Sequence, residues 1–112
     1  LNSNIFGESL IIVGGVINNL DSNHIVDFHL NNIYPNPFNP ITTISLDVFQ
    51  ADQYNIFVYD MLGKIVFEST VEYDSPGIYN VAFDGSNLSS GTYIVRIISD
   101  TQQASQKITL LK

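Results

Sequence analysis

His24, Asp27 and His29 are the residues whose types and spacing come nearest to a catalytic or metal-binding set. A hydrolase needs a nucleophile, a base and an orienting group, and a zinc site needs side chains that converge on one point. Residues 24–30 alternate, which predicts a strand with Val26, Phe28 and Leu30 on one face and Ile25, Asp27 and His29 on the other. The odd spacing puts the two histidines on opposite faces, so no face holds all three groups. The two histidines are expected to be surface residues of an edge strand. The stretch Asp84-Gly85-Ser86-Asn87 offers oxygen atoms at short spacing but lacks the further carboxylates of a calcium loop. A turn-forming Asx motif is the reading preferred there, with weak calcium binding as the alternative. No phosphate cradle, zinc-protease helix or nucleophile elbow occurs. No catalytic, cofactor or metal residue is assigned, and the chain is not expected to be an enzyme.

The composition narrows the classes further. The chain has 112 residues, 45% of them apolar and 12% aromatic, enough for one domain with a core. Charged residues make up only 13%, about half the usual quarter. The net charge is -7, with Lys64, Arg96, Lys107 and Lys112 as the only lysines and arginines. That excludes a nucleic-acid footprint and gives an anionic membrane little to attract. Cysteine is absent, which removes disulfides, thiolate metal sites and a cysteine nucleophile. The longest apolar run, residues 10–17, is interrupted by two glycines and falls short of the ~20 residues that span a bilayer.

The elements that would position any site read as β throughout. Residues 10–13 and 16–17 flank Gly14-Gly15, a hairpin or bulge signal. Ile44, Leu46 and Val48 alternate with polar residues, as a half-buried strand does. Residues 54–59 are apolar on both faces, which predicts a central strand. Further strands are expected over 64–71, 79–83, 93–98 and 105–111, separated by turns rich in Gly, Pro, Asn and Asp. The expected fold is an all-β, immunoglobulin-like antiparallel sandwich of about seven strands, with an extra N-terminal β segment over residues 1–32. Its core is expected to hold Ile44, Leu46, Val48, Ile56, Val58, Val66, Val81, Phe83, Tyr93, Val95, Ile97, Ile108 and Leu110. Leu88-x-x-Gly91-x-Tyr93 has the look of a tyrosine corner, with a plain core-edge aromatic as the alternative.

One stretch organises the rest. Tyr34-Pro35-Asn36-Pro37-Phe38-Asn39-Pro40 places three prolines within six positions, ahead of Ile41-Thr42-Thr43-Ile44. Each proline removes a backbone donor and restricts the residue before it, which predicts a stiff, extended segment. Phe38 is expected to anchor it to the sandwich end. This stretch resembles the opening motif of the type A C-terminal sorting domains of the type IX secretion system. Further blocks match in the family's order: residues 58–66, 76–85, 88–93 and 107–112. The resemblance covers roughly residues 33–112 and leaves out 1–32. Phe49 stands where the family often has proline.

The resemblance implies a non-catalytic module that is exported through the periplasm to the cell surface or beyond, read by the outer-membrane secretion machinery. The residues expected to be read are Pro35, Asn36, Pro37, Phe38 and Asn39, with Lys107, Ile108, Leu110, Leu111 and Lys112 on a terminal edge strand open to pairing. A second function fits the pattern from another class, a subunit of an extracellular filament that pairs with copies of itself. There the strands of residues 1–32, with the apolar faces of Leu10, Ile12, Val26, Phe28 and Leu30, would complete a neighbour's sandwich; otherwise they dock on their own chain or are the end of the cargo. Neither reading calls for a cofactor, a nucleic acid or a membrane span.

Overall fold

The computed structural model describes residues 26–112. The expectations for Leu10, Ile12, the Gly14-Gly15 pair, His24 and Ile25 lie outside them. The described residues form seven strands and no helix: β1 (Phe28–Leu30), β2 (Ile41–Val48), β3 (Asp52–Tyr59), β4 (Ile65–Tyr73), β5 (Gly77–Asp84), β6 (Gly91–Ile98) and β7 (Gln103–Leu110). They pair antiparallel into a three-stranded sheet, β1-β2-β5, and a four-stranded sheet, β4-β3-β6-β7. This is the two-sheet sandwich that the alternating pattern calls for. β3 is central, as its two apolar faces require, and Val58 is fully buried, which fixes the register.

Eleven of the thirteen expected core residues are buried; Val66 and Val81 are only partly so. Both stand on edge strands, β4 and β5, where the sandwich side is open. Aromatic rings fill that side instead. Tyr73 stacks on Tyr79 with centroids 3.9 Å apart, and Phe67 meets Phe83 edge-on at 5.4 Å. Phe28, Ile33, Phe38 and Tyr54 complete the core. Tyr54 is buried because its hydroxyl donates to the carbonyls of Gln50, 2.9 Å, and Asp27, 3.1 Å. Burial, with the charges of Asp27 and Asp52, pushes that hydroxyl's pKa up to about 12.

Tyr93 donates to the carbonyl of Ser89 at 2.6 Å, the back-bond of a tyrosine corner. Tyr93→Phe keeps the ring in place and leaves that carbonyl short of a partner, so an equilibrium unfolding curve should show a loss of about 1 kcal/mol.

The second side of the sandwich, where β1 faces β7, is held by side chains rather than by a ladder. The alternation over residues 24–30 places Asp27 with His29 on the face opposite Val26 and Phe28, but Asp27 is buried, His29 is exposed and Val26 is half exposed. The reason is local: the strand begins only at Phe28, so Asp27 turns inward as loop. Its carboxylate accepts from the hydroxyls of Ser99, 2.6 Å, and Thr101, 2.7 Å. Its carbonyl accepts from Phe49 N–H and Tyr54 Oη. The Ser99 hydrogen bond, followed by those from Thr101, holds the Asp27 carboxyl below the usual carboxylate range against the opposing effect of burial. Beside it the Gln102 amide stands in for a strand, accepting from Asp27 N–H at 3.0 Å and donating to the Phe28 carbonyl at 2.8 Å.

Candidate recognition site

The proline segment does not run straight. Its chain bends at residues 35–37 and again at 39–40, with cis peptide bonds before Pro35, Pro37 and Pro40. The bends follow from where its polar groups bond. Tyr34 pairs with Thr43 of β2 through both backbone groups, at 3.4 and 3.1 Å. Four residues later Phe38 pairs with the far sheet: its N–H donates to the Thr109 carbonyl, 2.9 Å, and its carbonyl accepts from Leu111 N–H, 3.0 Å. A segment bonded to both sheets within five residues must turn across the gap between them. It is a strap over the sandwich end, not an extended rod.

Asn36 locks the strap to β7. Its Nδ2 donates to the Lys107 carbonyl at 3.2 Å, and its Oδ1 accepts from Thr109 N–H at 3.0 Å. An asparagine side chain thus supplies the donor and acceptor that a neighbouring strand would offer. On β2, Thr42 Oγ1 donates to the Pro35 carbonyl at 2.6 Å. Phe38 is 2% exposed; its ring lies 5.9 Å from that of Phe83, and a Cβ built on Gly85 would stand 3.3 Å from its Cε2. Gly85 is therefore a packing glycine, closed in by Leu110, Phe38 and the Pro40 carbonyl. Its N–H donates to that carbonyl at 2.8 Å.

The structure brings the two sets of candidate residues together as one surface. Pro35, Asn36, Pro37 and Asn39 are exposed beside Lys107, Leu111 and Lys112, while Phe38, Ile108 and Leu110 are buried beneath them. The expectation of a free terminal edge is corrected in part. β7 is an edge strand, but its second half is already paired with Asn36 and Phe38, and the strand stops at Leu110.

The loop after β5 closes the same end. Asp84 accepts from the backbone N–H and hydroxyl of Ser86, the Asx geometry, and these bonds hold its carboxyl below the usual range. Lys112 Nζ donates to the Ser86 carbonyl at 2.6 Å, and its N–H to Ser90 Oγ at 3.0 Å. Gln102 and Asp27 had no sequence signal: each is one polar residue in a turn, and their meeting spans 75 positions. Among the described residues no group of three or more His, Cys, Asp or Glu could hold a metal, and no helix is long and apolar enough to cross a membrane.

A strap of this sequence, docked on the end of a seven-stranded sandwich, invites comparison with known families. The profile of the secretion system C-terminal sorting domain matches residues 32–111. The chain belongs to this family. Two solved structures share the sorting domain's fold. One is dimeric latent PorU from Porphyromonas gingivalis, with TM-score 0.64 and 17% identity over 85% of this chain and 10% of that one. The other is PorZ of the same organism, a surface component of the type IX secretion system, with TM-score 0.54 and 20% identity over 72% of this chain and 11% of that one. The sorting domain thus spans about a tenth of the length of either protein. No curated protein sequence matches it. Nothing in these comparisons supports the filament reading.

Proposed function

We propose that this sorting domain is the address of an exported protein, read by the type IX secretion machinery, and that it directs its cargo to the cell surface or the extracellular space. The observation that carries this reading is the family match over residues 32–111, which includes both the strap and β7. The site's geometry supports it. Asn36 and Phe38 fasten strap to strand, so the exposed Pro35, Pro37, Asn39, Lys107, Leu111 and Lys112 are presented as one preformed surface. Preorganisation of this kind spares a receptor the cost of ordering two separate segments. In this reading the surface acts by being bound.

The test fuses the chain to a fluorescent reporter in a bacterium with an active type IX system. Removing residues 107–112 should abolish export. Since Ile108 and Leu110 are core, a companion variant keeps the fold: Leu111→Ser with Lys112→Ser, both exposed in the wild type. It should lower export while leaving the melting temperature within a few degrees of wild type. Undiminished export of the deleted form would end this reading.

A further inference from the structure

Charge and apolar exposure are both distributed unevenly along the sandwich axis. The strap, the end of β7, the β5–β6 loop and the β3–β4 turn lie at one end. Their levels are fixed by the pairs Tyr59 with Ile94, Ile94 with Lys107, Gly91 with Leu110, and Ile41 with Asp84. Nine large apolar side chains stand exposed among the described residues, and six are at this end: Tyr34, Ile41, Met61, Leu62, Ile65 and Leu111. Three of the chain's four lysines and arginines, Lys64, Lys107 and Lys112, are exposed here beside two carboxylates, Asp60 and Asp84, which leaves this end with an excess of one positive charge. The opposite end carries Asp27, Asp47, Asp52, Glu72, Asp74 and Asp100 and, among the described residues, no lysine or arginine.

The β3–β4 turn holds the most exposed of these side chains, Leu62 at 94%, with Met61 beside it at 65%. A leucine so placed contributes nothing to the core. The turn that holds it is nevertheless rigid. Asp60 Oδ1 accepts from the N–H of Leu62 and of Lys64, both at 2.9 Å, and Gly63 N–H donates to the Asp60 carbonyl at 3.0 Å. Gly63 takes φ +84°, which a residue with a side chain rarely adopts. Behind the turn a cleft on the outer sheet face is lined by Tyr59, Met61, Ile94, Arg96 and Ser105. Arg96 lies over the Tyr59 ring at 6.0 Å.

We infer that the Met61-Leu62 turn is a second docking element, inserting into an apolar pocket of a partner protein whose rim is acidic. This deepens the proposed function and rests on it: the partner is the component that reads the strap. The turn and β7 are separated only by β6, ~10 Å at the usual strand spacing, so one partner surface reaches both. Exposed apolar side chains on a rigid turn are inserted with little loss of conformational entropy. The lysines around them complement carboxylates on the rim. With six carboxylates at the far end, the sandwich is a charge dipole that an acidic receptor turns strap-end first. A lipid surface is the lesser fit, because a chain of net charge -7 is repelled by an anionic headgroup layer.

The experiment compares reporter fusions carrying Met61→Ser with Leu62→Ser against Ile78→Ser, an exposed apolar residue at the acidic end. The turn variant should export roughly tenfold less than wild type, with an unchanged melting temperature, while Ile78→Ser exports normally. A photo-crosslinking side chain at position 62, but not at 78, should trap a component of the secretion machinery in exporting cells, less efficiently as salt is raised. Normal export by the turn variant, in cells where removing residues 107–112 blocks it, would overturn the second docking element and leave the sorting role standing. Export unaffected by either change would remove the sorting role itself. Sedimentation of the purified chain with phosphatidylethanolamine–phosphatidylglycerol vesicles, lost on Leu62→Ser, would assign the turn to a lipid surface and overturn the protein partner.

Discussion

Phe38→Ala is expected to destabilise the folded chain by about 3–4 kcal/mol, measured as the shift in an equilibrium denaturation curve. The ring is 2% exposed and packs between Phe83 and the wall made by Gly85 and Leu110. The surroundings cannot close over the vacancy easily. On one side Phe38 is held by backbone bonds to Thr109 of β7 and to Leu111 just beyond it, and on the other Gly85 is tied to the Pro40 carbonyl. Lost burial and an unfilled cavity therefore act together. Phe38→Leu, which keeps most of the apolar volume, should recover more than half of the loss. If Phe38→Ala instead melts normally but is no longer exported, the ring is read directly by the receptor and the burial seen here is broken on binding.

Asp27→Ala should cost about 2–4 kcal/mol, because it strands the Ser99 and Thr101 hydroxyls that now donate to a buried carboxylate. The same group makes stability depend on pH with a definite sign. Its folded pKa lies below the ordinary 3.8, so the native state binds its proton more weakly than the unfolded chain does. The stabilisation is fully present above the unfolded value and is lost as the pH falls through the lower folded one. Denaturation midpoints taken from pH 6 down to pH 2 should fall less steeply for Asp27→Ala than for wild type. Parallel curves for the two proteins would show that Asp27 is not the titrating group.

Much of this was legible in the sequence. Strict alternation over 43–48 and two apolar faces over 54–59 gave the half-buried and central strands, because period-two patterning is a direct consequence of burial on a pleated sheet. The strap's anchor was also readable, since an aromatic between two prolines has little else to do. What the residues could not tell was the course of the backbone around it. Proline rules constrain each φ but not where the hydrogen bonds go, and Tyr34 and Phe38 bond to opposite sheets. Asp27 was misread because alternation was continued one residue past the strand's first residue, Phe28. Val66 and Val81 were overcounted as core because a pattern gives the face of a strand, not whether that strand is at an edge. The candidate surface was named residue by residue, but its unity was not. Asn36 and Lys107 meet only through pairings 71 positions long.

That separation bears on synthesis. The strap is made before β7, and the carbonyl and amide that Asn36 bonds there belong to residues made 71 and 73 positions later. Until then Phe38 has no seat, and the β1 edge lacks Gln102, which follows Phe28 by 74 positions. A growing chain can therefore form hairpins but cannot close either end of the β1–β7 side. Contacts of such long range also slow closure, because the intervening loop must be gathered before any bond rewards it. Ribosome-bound chains halted before residue 103 should be cut readily by protease around Phe38, and full-length chains should resist, so that closure of this fold reports that β7 has been delivered.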